Sequence, residues 1–287
     1  MNQNFIKLNT LALLSLLIVS FSNSSEANSS NDEPSTAVDN QSKATLNLIA
    51  NGEDFVRQGF VTKDGWEMSF DRVEVNLSDV TAYQIQAPFE PTETDNLDTL
   101  EYQEKVSLLD TAQIVNLAEG EADAEPIMVV NTEVTPGFYN AVAWGIDTAS
   151  ESSPLAGKTM VLQGQASKDE QVINFDISLN RPIQYLCGEY VGDERKGIVQ
   201  AGDMGEVETT FHFDHIFGDS ETSADDSLNV GALGFQPLAE LASGDRLSVD
   251  DATLSQKLSP EEQEKLTKAV IGLGHVGEGH CAVIPQP

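Results

Sequence analysis

Between Ala44 and Leu77 apolar and polar residues alternate repeatedly with a period of two. Trp66, Met68 and Phe70 alternate with Glu67 and Ser69, and Val73, Val75 and Leu77 alternate with Glu74 and Asn76. A helix would scatter these apolar side chains around its circumference, whereas an extended strand gathers them on one face. The pattern therefore restricts this part of the chain to half-buried, antiparallel strands. Ala44, Leu46 and Leu48 form an earlier strand ending at Asn51-Gly52. The run from Phe55 to Val61 closes at the turn Lys63-Asp64-Gly65, and Val80 to Ile85 continues the alternation.

The same signals recur further on. Residues 86–104 are acidic, contain Pro88 and Pro91, and read as a surface excursion. Strands are expected over 106–109, 127–130, 139–146, 159–165 and 171–179, with Pro136-Gly137 placed for a type II turn. About ten short strands separated by turns predict a mainly β chain, an antiparallel β-sandwich over 43–217. Residues 218–287 are expected to be a small helical and loop extension packed on that sandwich. Within it, 237–242 suits a short helix, and Ser259-Pro-Glu-Glu262 is a capping box with proline at the first helical position. Leu266, Ala269, Val270 and Leu273 then fall on one helical stripe.

The N-terminus predicts export. Lys7 precedes the apolar run Leu11–Phe21, too short for a membrane span, and Ser25 and Ala27 suit a cleavage site. Residues 1–27 thus read as a signal peptide, with an uncleaved anchor as the alternative, and the polar stretch 28–42 as a disordered lead-in. The expected location is periplasmic or secreted, with no integral membrane segment after cleavage. Cleavage removes one charge of each sign, Lys7 and Glu26, so the net charge stays at −32. Such a field repels nucleic acid and gathers cations. The chain has two cysteines, Cys187 and Cys281, and export favours one disulfide between them. The rival reading makes Cys281, next to His280, a thiolate metal ligand.

The chain has four histidines, in two short clusters. His212 and His215 flank Asp214 in Thr209–Asp219, and His275 and His280 sit in Gly274-His-Val-Gly-Glu-Gly-His-Cys281. Read as a strand, 209–214 points Thr210, His212 and Asp214 to one face and anchors Phe211 and Phe213 on the other. His215 then swings round to join them as the strand breaks. A disulfide would pin the tail histidines to the middle of the fold, so both clusters could share one ion. The expected ligands are His212, Asp214, His215, His275 and His280, with Glu278 as a further ligand or an orienting group. Zinc, copper or iron suits such donors. Affinity should fall as pH drops through about 6–7, where free imidazole protonates.

Taken alone, each histidine reads as a hydrogen-bonded strand residue, and the tail glycines as a flexible terminus. A second function class is a structural or adhesive module whose acidic loop, with Asp219, Asp225 and Asp226, binds calcium weakly or not at all. A third is a metallohydrolase, but five protein ligands leave little open coordination and the sequence offers no independent general base. The first reading is an exported metal-binding protein engaged in metal handling rather than catalysis. Its partners would be the ion and another exported or membrane protein of a metal system.

The run Trp66–Val80, the segment Leu108-Leu109-Asp110 and the turn Thr135-Pro-Gly-Phe-Tyr139 resemble an uncharacterised class of bacterial secreted β-sandwiches. The layout is also similar to the periplasmic partner proteins of methanobactin-type copper systems. That resemblance implies a prealbumin-like sandwich that binds metal. It covers roughly residues 44–215, and the tail 218–287 falls outside it.

Overall fold

The structure is a computed structural model describing residues 43–86, 88–94 and 96–285. The expected signal peptide (1–27) and lead-in (28–42) lie outside the described residues. The chain is mainly β, as the alternating stretches require. The three segments 66–70, 73–77 and 80–85 are not separate strands but one, Glu67–Gln84. Its ladder shifts register between Phe70 and Arg72 and again between Ser78 and Thr81. Asp79 adopts a φ of +49° at the second irregularity. Bulges of this kind keep a long strand paired while it bends, so the period-2 pattern breaks without the strand ending.

Glu67–Gln84 is the spine of a ten-stranded sheet. One path runs Arg246–Asp250, Gln171–Leu179, Met160–Lys168, Glu67–Gln84, Ala141–Ile146, Ile183–Cys187 and Ala282–Ile284. Phe60–Val61, Glu104–Leu109 and Gln113–Asn116 also pair with the spine. A five-stranded sheet runs Gly279–His280, Gly274–Val276, Met204–Phe211, Ala44–Asn51 and Ile127–Val134. Leu46 and Leu48 of this sheet and Val75, Trp144 and Tyr185 of the larger one belong to one buried apolar cluster. Fully burying each such side chain contributes about 1.5–3 kcal/mol.

Several expectations need correction. The pairing is not wholly antiparallel: Ala44–Asn51 runs parallel to Met204–Phe211, and Gln171–Leu179 parallel to Arg246–Asp250. Within 43–217 the described residues hold thirteen strands rather than about ten, three of them of only two residues. Pairings that short leave no alternation to read. Phe55–Val61 is not one extended run, because Glu53–Gln58 is helical and Gly59, at φ +75°, turns the chain into Phe60–Val61. The tail 218–287 is not helix and loop alone. Arg246–Asp250 and Ala282–Ile284 extend one sheet, and Gly274–Val276 and Gly279–His280 the other.

The tail helix spans Pro260–Ile271, and its Ser259–Glu262 capping box is formed. It buries Leu266, Ala269 and Val270, and the Tyr185 hydroxyl donates to the Val270 carbonyl at 3.2 Å. This helix delivers the chain to Gly274 at the edge of Met204–Phe211, beside the first histidine cluster.

Candidate metal centre

The strand Met204–Phe211 ends one residue before His212, so the expected strand over 209–214 is shorter than its pattern suggested. Phe211 and Phe213 are fully buried and anchor the chain on both sides of His212. Asp214–Phe217 forms a single helical turn, with the His215 amide donating to the His212 carbonyl at 3.2 Å. Helical spacing of three residues sets side chains near one another. This turn, rather than strand alternation, brings His215 to His212, their ring centroids 6.0 Å apart.

The second pair sits on a β-hairpin, not on a flexible terminus. His275 pairs with His280 and Val276 with Gly279, leaving Gly277 and Glu278 as a two-residue turn. Gly277 has φ +59°, and a Cβ there would lie 2.1 Å from the Val191 carbonyl oxygen, so only glycine fits. Gly274 lies against the Tyr185 ring, where a Cβ would approach within 2.6 Å. The hairpin docks on the strand end: Thr210 pairs with His275, and the Gly277 amide donates to Thr210 Oγ1 at 2.9 Å. The His212 amide donates to the Leu273 carbonyl at 3.1 Å.

Cys187 and Cys281 lie at disulfide-bonding distance, their Cα atoms 4.2 Å apart. The pair clamps the hairpin to the strand Ile183–Cys187, and Trp144 Nε1 lies 3.0 Å from Cys187 Sγ. Cys281 is therefore not a thiolate ligand.

Between these elements His212, His215 and His275 each place one ring nitrogen within 4.8 Å of the others. The His212 and His275 rings stack at 4.0 Å, while His215 meets His275 edge-on at 5.0 Å. His212 Nε2 and both ring nitrogens of His275 are buried without a hydrogen-bond partner. A buried polar atom left unsatisfied costs about 1–3 kcal/mol. A cation taking the lone pair of one nitrogen on each ring would remove part of that penalty. Burial, reinforced by the neighbouring imidazoles, lowers His215 to about 4 and His275 to about 3. Burial also lowers His212, against the pull of Asp214 and Glu278. All three are thus held neutral, the form that binds metal.

The remaining expected ligands lie around this trio. His280 is exposed, with its centroid 4.3 Å from His275 and 5.8 Å from His215. Asp214 is buried outside the trio, its Oδ1 unpartnered, and desolvation raises its pKa against the attraction of His212. Glu278 projects from the exposed hairpin turn into an open cleft of about 400 Å³ that also contains Glu53. Asp219, Asp225 and Asp226 are engaged in local turns. Asp219 accepts from the Glu221 amide at 2.9 Å, Asp226 caps the Leu228 amide at 2.9 Å, and Asp225 accepts from the Ser223 hydroxyl.

Sequence reading missed Glu53. Its Oε1 lies 3.8 Å from His212 Nε2, just beyond hydrogen-bond reach. The parallel ladder explains the meeting: Asn51 pairs with Thr210, so the residues two positions further on, Glu53 and His212, arrive side by side. Glu53 starts its helix at φ +59°, a conformation that costs a non-glycine residue energy. Asn51 holds it there, accepting from the Glu53 amide at 2.9 Å and donating to Oε1 at 3.4 Å. Burial, with repulsion from Glu208 and Glu278, raises Glu53 to about 7. Glu208 is satisfied by Lys196, by Thr210 Oγ1 at 2.9 Å and by Asn51 Nδ2 at 3.0 Å. No local pattern in the sequence marks Glu53, because the parallel pairing that places it is invisible there.

No protein-family model, no curated protein and no solved structure matches the chain.

Proposed function

We propose that this protein binds one divalent transition-metal ion through His212, His215 and His275, and that it serves metal handling outside the cytoplasm rather than catalysis. The observation that carries the reading is the meeting of three imidazoles from two distant stretches of chain, two of them with buried ring nitrogens that lack a hydrogen-bond partner in good geometry. Nitrogen donors of this kind suit zinc, copper or iron. Glu53 places a carboxylate 3.8 Å from His212 Nε2, the nitrogen offered to the ion, and so adds negative charge beside it. Glu278 adds negative charge at the approach to the site. His280 stands at the exposed edge, placed to meet an ion entering from or leaving to another exported or membrane protein. The paired cysteines are compatible with an oxidising compartment. One apolar cluster shared by two sheets is what a sandwich would require. The carboxylates of Asp219, Asp225 and Asp226 are engaged in turns, which disfavours a calcium loop.

Elemental analysis of protein purified without chelator, then stripped and reloaded with zinc, tests the reading. One equivalent that is lost in the His275→Ala variant is expected. A full-length, folded protein that takes up no zinc, copper or iron would overturn it.

A further inference from the structure

A pocket of about 260 Å³ opens beside the histidine cluster, with His215 and His280 on one side. Leu228, Ala232 and Ala269 supply apolar lining, and Lys268 lines it as well. A transition metal held by three protein nitrogens keeps its fourth position for a water or an outside ligand. His215 belongs both to the trio and to the wall of this pocket, so a metal-bound ligand leaving the trio on that side would enter it.

Resting on the metal reading above, we propose that the bound ion keeps one coordination position open toward this pocket, and that the pocket admits a small carboxylate with a short apolar chain. The carboxylate oxygen ligates the ion, the chain packs against Leu228, Ala232 and Ala269, and the Lys268 ammonium faces the anion. Lys268 Nζ is paired with Glu264 at 2.6 Å on an exposed helix face, where such a pair is worth little and yields readily. The protein's net charge of −32 opposes an approaching anion only over long range. Salt screens that field beyond about 8 Å at physiological ionic strength, so the dication and Lys268 dominate within the pocket. His280 remains at the rim and does not occupy the fourth position.

Cobalt(II) reports its coordination number and ligands in its visible spectrum, so the full chain loaded with cobalt is titrated with acetate, butyrate and azide. All three should shift the spectrum. Each buried methylene strengthens binding roughly fourfold, so butyrate, with two more of them, should bind about fifteenfold more tightly than acetate. Leu228→Trp narrows the pocket from a half-buried position and should abolish the preference for butyrate while leaving cobalt affinity intact. Lys268→Gln should weaken both carboxylates together. A chain that binds no cobalt overturns the metal reading and this proposal with it. Cobalt bound with a spectrum that no anion moves shows a closed coordination sphere and overturns the proposal alone. Equal binding of acetate and butyrate, unaffected by Leu228→Trp, places the ligand outside the pocket and also overturns it.

Discussion

The rings of His212 and His275 stack 4.0 Å apart with their planes only 8° from parallel. An imidazole lone pair lies in the plane of its ring, and a metal sits in that plane about 2.0–2.1 Å from nitrogen. One ion cannot lie in two parallel planes separated by nearly a ring thickness. Loading therefore requires one of the two rings to turn. A structure of the zinc-loaded protein should show the stack opened to an interplanar angle of several tens of degrees, with His215 nearly unmoved. Zinc bound with the stack intact would exclude either His212 or His275 as a ligand.

The ligands should be unequal. His275→Ala removes a buried member of the trio and should cost at least about 100-fold in zinc affinity, beyond the 10–100-fold typical of losing an orienting partner. Glu53→Gln should cost less than His275→Ala, because it removes only negative charge beside His212 Nε2. His280→Ala should cost less than His275→Ala, and Asp225→Ala nothing measurable. Competition titration against a chromophoric chelator ranks them. Equal losses at His275 and His280 would favour a ligand set that includes the exposed edge.

Acid sensitivity moves below the range expected from free imidazole. His215 and His275 stay neutral in the fold down to about 4 and about 3. Protons should compete for the site only near those values, so zinc should remain bound at pH 5 or so, where free imidazole, with its ordinary pKa of about 6.5, is mostly protonated.

Metal-free stability follows the same shifts with opposing signs. Below about 6.5 the unfolded histidines take protons that the folded ones refuse. Their stabilisation is complete above that value and drains away as pH falls toward 4 and 3. Glu53 acts in reverse, because its pKa rises from 4.5 to about 7 on folding. Its contribution is complete below 4.5 and is lost as pH climbs to about 7. Urea midpoints of the metal-free protein should drop less on acidification in His275→Ala, and less between pH 5 and 7 in Glu53→Gln. Parallel curves for all three proteins would contradict these assignments.

Thiol titration of denatured, unreduced protein should find no free thiol. The Cys187–Cys281 link spans a separation of 94 residues, and in the chain-entropy picture it contributes about 4–5 kcal/mol. Cys187→Ser with Cys281→Ser should lower stability by about that amount. It should also weaken zinc binding, because the hairpin that carries His275 loses its clamp. Unchanged affinity would mean that the contacts of Thr210 and Leu273 hold the hairpin alone.

Scarcity made the histidines legible, since four in the whole chain invite a search for common purpose. The capping box at Ser259 and the alternation at Trp66–Leu77 were equally plain, because each is a local pattern with a local cause. What escaped notice depended on pairing between distant segments. Glu53 reaches His212 only because Asn51 lies parallel to Thr210. The tail strands are too short to alternate, and Gly274–Val276 is extended because the edge of Met204–Phe211 receives it. Asp214 fell outside the trio because one helical turn replaced the last residues of a strand.

The hairpin Gly274–His280 also dictates when the site can exist. His212 and His215 follow directly on Met204–Phe211, but their partner His275 arrives only with the hairpin of Gly274–Val276 and Gly279–His280 that completes this side of the smaller sheet. A nascent chain lacking that hairpin carries only two of the three imidazoles. On the proposed reading, metal capture would wait until this hairpin is seated, and a bound ion would report a finished fold.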